Sequence, residues 1–202
     1  MRCPFCRTRL TEHTAACPAC HLTRDRVSIL LGRADPLASA VTDHCKQLTH
    51  REISKLEKRI QRMSSTLPQV RFRVVLQTFP AEHPFDLHIF WLFNCGGLPT
   101  DGKPPGENRN ILLALDPSLG RSALMLGYGL EPFIADDALD HLLESAEPAW
   151  VTGDWSGGIL RITDALQTLL KDTVREISDR FGLHSSHPED KRPARRSLKQ
   201  TH

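Results

Sequence analysis

Apolar residues recur at three- and four-residue steps in some stretches of the chain and at two-residue steps in others, and this alternation predicts most of its elements. Ile53, Leu56, Ile60 and Met63 keep the first rhythm, and Thr49-His50-Arg51-Glu52 ahead of them has the T-x-x-E form of a capping box, so a helix is predicted over about 50–64. After Pro68, Val70, Phe72, Val74 and Leu76 alternate with Arg71, Arg73 and Val75, which predicts a strand. Pro84 opens a stretch that is apolar almost all round from Phe85 to Phe93 and stops at Gly96-Gly97, the pattern of a deeply buried helix. Residues 98–109, with Pro99, Gly102 and Pro104-Pro105-Gly106, read as a loop. Ile111 to Leu115 and Ser122 to Leu126 flank Asp116-Pro117-Ser118-Leu119-Gly120 and read as an antiparallel hairpin. A helix through Ala138, Leu139, Leu142 and Leu143 leads to Pro148. A last helix, capped by Asp154 or Ser156, is expected to bury Ile159, Ile162, Leu166, Leu169, Leu170, Val174 and Ile177. Helices thus alternate with strands, which implies an α/β layer fold with a small mixed sheet covered on both sides.

With 202 residues the chain has room for one core-bearing domain and smaller attachments. Hydrophobic residues make up 40% and charged residues 25%, a soluble globular profile rather than a disordered or collagenous one. Charge is uneven: residues 1–26 carry five bases against two acids, residues 184–202 the same, and the middle holds 16 bases against 20 acids. Basic charge at the two ends, away from the folded body, argues against nucleic acid as the default partner. No apolar run approaches the roughly 20 residues of a bilayer crossing, and the N-terminus lacks the apolar core of a secretory leader, so a reducing, cytoplasmic setting is expected. The divisions expected are 1–22, a connector over 23–40 that pauses at Gly32 and breaks at Pro36, a main domain over 41–180, and a basic disordered tail over 181–202. No internal repeat is apparent.

Four of the six cysteines form two CxxC pairs, Cys3/Cys6 and Cys17/Cys20, ten residues apart. Two such knuckles supply the four sulfurs of a tetrahedral zinc site, and so short a segment would take its folding free energy from the metal. A shell of four thiolates has no open position for water, so the site predicted is a structural zinc ribbon. Cys17-Pro18-Ala19-Cys20-His21 also fits the CxxCH of c-type haem attachment, but that reading leaves Cys3 and Cys6 without a role. A thioredoxin-like pair would need a βαβ setting that this segment is too short to provide.

Three stretches carry a family resemblance: Asn110 to Leu115, Leu126-Gly127-Tyr128-Gly129-Leu130-Glu131, and Gly153-Asp154-Trp155 with Gly157 and Gly158. Together with Val41-Thr42-Asp43 and Leu48-Thr49 they resemble, in order and spacing, the TPM domain. The resemblance implies a three-layer α/β/α sandwich, binding of a divalent cation such as Ca²⁺ or Mg²⁺, and in some members acid phosphatase activity. Carried onto this chain, the cation ligands and catalytic carboxylates would be Asp43, Glu131 and Asp154, each at the end of an element, with Tyr128 placed to orient a substrate. Arg109 departs from the family pattern and sets a positive charge where an oxygen ligand is expected.

Simpler roles stand beside these. Asp154 is a good helix cap, Glu131 favours the start of the helix after it, and the eight acids against one base from Leu130 to Asp164 also suit a solvated face. Cys45 and Arg51 have the Cys-x5-Arg spacing of cysteine-dependent phosphatases, but no glycine lies between them to let the backbone wrap a phosphate. The function expected is an interaction module with a structural zinc, a divalent-cation site and another protein as partner. The alternative is a metal-assisted phosphatase acting on phosphomonoesters.

Overall fold

A computed structural model describes residues 1–98 and 104–180. The basic tail expected over 181–202 and part of the loop expected over 98–109 lie outside them.

Four strands form one sheet in the order β1 (Val41–Asp43), β2 (Arg71–Leu76), β3 (Asn110–Asp116), β4 (Arg121–Leu126). β1, β2 and β3 are parallel; β4 returns antiparallel beside β3 through the turn at 117–120. Connections between the parallel strands run through α2 (His50–Thr66) and α3 (Phe85–Cys95), while α1 (Arg24–Leu31) precedes the sheet and α4 (Asp136–Val151) and α5 (Trp155–Arg180) follow it. The predicted capping box is present: the Thr49 side chain accepts the Glu52 N–H, and the Glu52 carboxylate accepts the Thr49 N–H at 2.8 Å. Residues 24–31 of the expected connector are helical, with Thr23 as N-cap.

Two-residue alternation sends the side chains of each strand to two separate cores. Phe72, Val74, Ile111, Leu113, Leu115 and Leu126 face α2, α4 and α5 together with Leu56, Ile60, Ile159, Ile162 and Leu166. Val75, Leu112 and Ala114 face α3 and α1, joined by Leu87, Ile89, Leu92 and Val27. The sheet is therefore covered on both sides, as an α/β/α sandwich. α3 is buried from Leu87 to Phe93, and inside it His88 satisfies its ring by bonding Nε2 to the Pro80 carbonyl at 3.1 Å. The second face has only α3 and the short α1 as helical cover, and Met1 and Leu22 of the cysteine segment pack into it alongside Ala123 and Met125 of β4.

α4 does not stop at Pro148 but passes through it to Val151. A proline removes one helical hydrogen bond; Pro148 stands within the last turn, where Thr152 Oγ1 covers the Ala149 carbonyl at 2.8 Å. Among the described residues no helix is long and apolar enough to cross a membrane.

Candidate functional site

The cysteine segment is built from one unit used twice. Residues 2–9 and 16–23 superimpose in pattern at an offset of fourteen: the bridge Arg2↔Arg9 matches Ala16↔Thr23, the Cys3 N–H bonds the Thr8 carbonyl as the Cys17 N–H bonds the Leu22 carbonyl, and Arg7 N–H and His21 N–H return to the carbonyls of Cys3 and Cys17. Arg7 and His21 both take the left-handed conformation, at φ 62° and 56°. This repeat escapes the sequence because only Cys-Pro-x-Cys is common to both copies; the rest is carried by backbone geometry.

The two knuckles face each other. Cys3 Sγ lies 3.6 Å from Cys20 Sγ and Cys6 Sγ 3.4 Å from Cys17 Sγ, and all four sulfurs fall within 4.8 Å of one another. A tetrahedral ion with metal–sulfur bonds of about 2.3 Å separates its ligands by about 3.8 Å, so the arrangement fits a structural metal. Cys3 and Cys17 are buried and Cys6 is exposed. A hydrogen bond with Thr8 holds the Cys6 thiol down to about 6, whereas burial pushes Cys3 up. The segment is fastened to the domain by Arg7 on Asp86 at the start of α3, by Arg2 toward Asp136 at the start of α4, and by the Met1 amino group on Glu131.

The structure does not gather Asp43, Glu131 and Asp154. Asp43 ends β1, at the carboxyl end of the parallel strands. Glu131 follows β4, which runs the other way, so it lies at the opposite end of the sheet, roughly 20 Å off by the rise of β3. Asp154 starts α5 near the β3–β4 turn, where Ser156 donates to Glu52 of α2 at 2.8 Å. Each carboxylate has a local task. Asp43 accepts the N–H groups of Cys45 at 3.0 Å and Leu48 at 2.8 Å, Asp154 caps α5 by accepting the Gly157 N–H at 2.8 Å, and Glu131 holds the Met1 amino group. Among the described residues, the four cysteines are the one set of three or more metal-ligating side chains with all ligand atoms within 4.8 Å.

The same contacts dispose of the Cys-x5-Arg resemblance. Two of the loop N–H groups that would have to face a phosphate are turned onto the chain's own Asp43. Cys45 Sγ instead contacts Thr78 Oγ1 at 3.8 Å. Tyr128 is half-buried, and burial together with the Glu131 charge pushes its phenol up to about 12, so it remains neutral. Arg109 precedes β3, at the Glu131 end of the sheet.

A crevice of about 510 Å³ opens at the carboxyl ends of β1, β2 and β3, with Asp35, His44, Cys45, Gln47, Thr78 and Ser118 in its lining. Ligands of open α/β sheets bind at this end of the strands. Beneath it Asp116 is completely buried, accepting the Ser118 N–H at 3.1 Å and the Arg121 guanidinium at 2.6 Å, while Arg121 lies 4.7 Å over the Phe85 ring and donates to the Phe79 carbonyl. Burial alone would raise the Asp116 carboxyl; the bonds from Ser118 and Arg121 outweigh it and hold the group below its ordinary value. In the sequence, Asp116-Pro117-Ser118 carries the signal of a turn and nothing more. The crevice becomes visible once the strand order is known, since its lining comes from four separate loops.

A mixed four-stranded sheet between two helical layers, preceded by paired cysteine knuckles, defines the class: an α/β/α sandwich with an N-terminal four-cysteine centre. The TPM domain profile matches residues 41–169, and the chain belongs to that family. No curated protein matches the chain. Among solved structures it is similar to the N-terminal domain of a protein from P. gingivalis, at 22% identity and a TM-score of 0.57 over 69% of this chain and 86% of that one. It is also similar to the BA42 protein of the psychrophilic bacterium Bizionia argentinensis, at 15% identity and a TM-score of 0.53 over 64% and 86%. These likenesses are of fold.

Proposed function

We propose that the chain is a cytoplasmic protein-interaction module in which the four cysteines hold one structural zinc and the TPM domain offers the surface that a partner reads. The zinc reading is supported by the donor set: four sulfurs at tetrahedral spacing leave no position for a reacting water, and thiolate is the ligand that suits zinc. Bound there, the metal supplies the folding free energy that a segment with only Cys3, Leu10 and Cys17 buried in its own core lacks.

One observation carries the choice of binding over hydrolysis. Metal-assisted hydrolysis of a phosphomonoester by Asp43, Glu131 and Asp154 needs their oxygens around one Ca²⁺ or Mg²⁺, and Glu131 stands at the opposite end of the sheet from Asp43 and Asp154, each of the three being engaged by the chain's own N–H or amino groups. The experiment is release of phosphate from p-nitrophenyl phosphate by the zinc-loaded chain with Ca²⁺ or Mg²⁺ added. None above buffer is expected. Release that disappears in Asp43→Ala and Asp154→Ala and persists in Cys45→Ser would establish the hydrolase and overturn the module.

A further inference from the structure

β4 closes one side of the sheet, and among the described residues no further strand pairs with its outer edge. The Gly127 N–H bonds the Asn110 carbonyl at 2.9 Å, which fixes Asn110 and Gly127 as a hydrogen-bonded pair of the antiparallel ladder. Alternation from that pair turns Arg121, Ala123 and Met125 toward β3 and leaves the N–H and C=O groups of Ser122, Leu124 and Leu126 pointing away from the sheet. Among the described residues no backbone hydrogen bond is made to those outward groups. Natural sheets normally blunt such an edge with a bulge, a proline or an inward charge, because it templates pairing with another chain. β4 carries one inward charge, Arg121 at its first position, and beyond it Ser122-Ala123-Leu124-Met125-Leu126 has no proline, no charge and no bulge.

Beside this edge lies a groove of about 400 Å³ between the start of β4 and α4. One wall is acidic: Asp140, Glu144 and Glu147 stand at helical spacing on α4 and are exposed. Its end is aromatic, formed by Trp150 and Trp155, whose rings stack at 6.2 Å and 20°. Val151, 79% exposed, borders them. An extended segment paired with β4 would place every second side chain toward this groove. Arginine suits it on two counts, since its charge meets the carboxylates and its planar group and stem lie on indole faces. A second copy of the chain does not suit it: pairing β4 with β4 would bring two acidic α4 faces into one interface.

We infer that the edge of β4 and the α4 groove together form a docking site for an extended, arginine-rich segment of a partner protein, added as a fifth strand. The main-chain groups of Ser122 and Leu124 supply the pairing, and Glu144, Glu147 and the two tryptophans select the side chains. This rests on the reading of the chain as an interaction module and names the surface and the partner chemistry for it.

The test is titration of the ¹⁵N-labelled, zinc-loaded full chain with an eight-residue peptide alternating arginine and valine, and with its glutamate counterpart. The arginine peptide should shift the amides of Ser122 and Leu124 and the indole N–H signals of Trp150 and Trp155, and the glutamate peptide should not. Glu144→Lys with Glu147→Lys should weaken binding about tenfold, the sum expected of two rim pairs turned repulsive. Ser122→Pro, which deletes one outward N–H at an edge position that tolerates proline, should weaken it without moving the charges. Equal shifts with both peptides, or shifts confined to other surfaces, overturn this site while leaving the module reading in place. Phosphate release in the assay above, with no peptide binding, overturns both. If the full chain binds nothing but a chain ending at Arg180 does, the groove belongs to this protein's own basic C-terminal residues. If β4 amides shift with protein concentration alone, it belongs to a second copy. Either result refutes a partner segment.

Discussion

Replacing Asp116 by alanine tests most sharply how the crevice end of the sheet is held together. The carboxylate has no solvent exposure and four partners: the Ser118 N–H and hydroxyl, the Arg121 guanidinium at 2.6 Å and the Phe79 N–H at 3.4 Å. Removing one member of a buried pair costs about 3–5 kcal/mol, because the charge left behind loses its counter-ion inside the protein. Arg121 keeps 28% of its side-chain surface exposed and still lies over the Phe85 ring, so water screens part of the loss and the lower end, about 3 kcal/mol, is expected. For a chain of this size that corresponds to a fall in Tm of about 6–12 °C. Urea unfolding followed by tryptophan fluorescence, with zinc in excess, measures it, and a cycle with Arg121→Met should give a coupling of about 1.5 kcal/mol or more. Because the Asp116 carboxyl is held below its ordinary value, its contribution is present above the unfolded pKa and is lost as the pH falls through the folded one. A cost under about 1 kcal/mol, or a coupling near zero, would refute the claim that this pair anchors the β3–β4 turn.

Two further substitutions follow from close packing and from burial. A Cβ at Gly158 would lie 2.0 Å from Trp150 Nε1, so Gly158→Ala should displace the indole, cost about 1–3 kcal/mol and alter the near-ultraviolet circular dichroism of the tryptophan pair. Burial lowers the pKa of His88, so below about 6.5 the unfolded chain takes up a proton that the folded chain refuses; stability should decline as the pH drops below that value and level off below the folded pKa. His88→Gln should remove that slope from the pH profile of the urea midpoint.

How far the sequence could be read depended on whether a feature was local. The capping box at Thr49, the β3–β4 hairpin and the buried α3 rest on contacts within a few residues or on strict periodicity, and all appear where the pattern predicts them. The four sulfurs meet because each CxxC knuckle is a local turn and only one long contact is then needed to oppose them. The acidic residues depend on strand order and direction, which periodicity does not encode. Glu131 follows a strand that reverses the sheet's direction, so a carboxylate that the family pattern groups with Asp43 lies at the far end and serves the Met1 amino group instead. Pro148 shows the same limit on a smaller scale, since a proline stops a helix only where the lost hydrogen bond matters. The repeat within residues 2–23 is legible in hydrogen bonds and in two left-handed residues, and almost absent from the letters.

Hydrogen exchange on the zinc-loaded and the chelated full chain, read by mass spectrometry with the zinc content measured alongside, bears most directly on the proposal that zinc holds the two knuckles and that they form part of the domain's second face. One zinc per chain should be lost on chelation, and protection should fall across residues 1–22 and in α3 and β4, whose Leu92, Ala123 and Met125 share a core with Met1 and Leu22, while α2 and α5 keep theirs. A chain that holds no zinc, or one whose exchange over residues 1–22 and α3 is unchanged when the metal is removed, would contradict it.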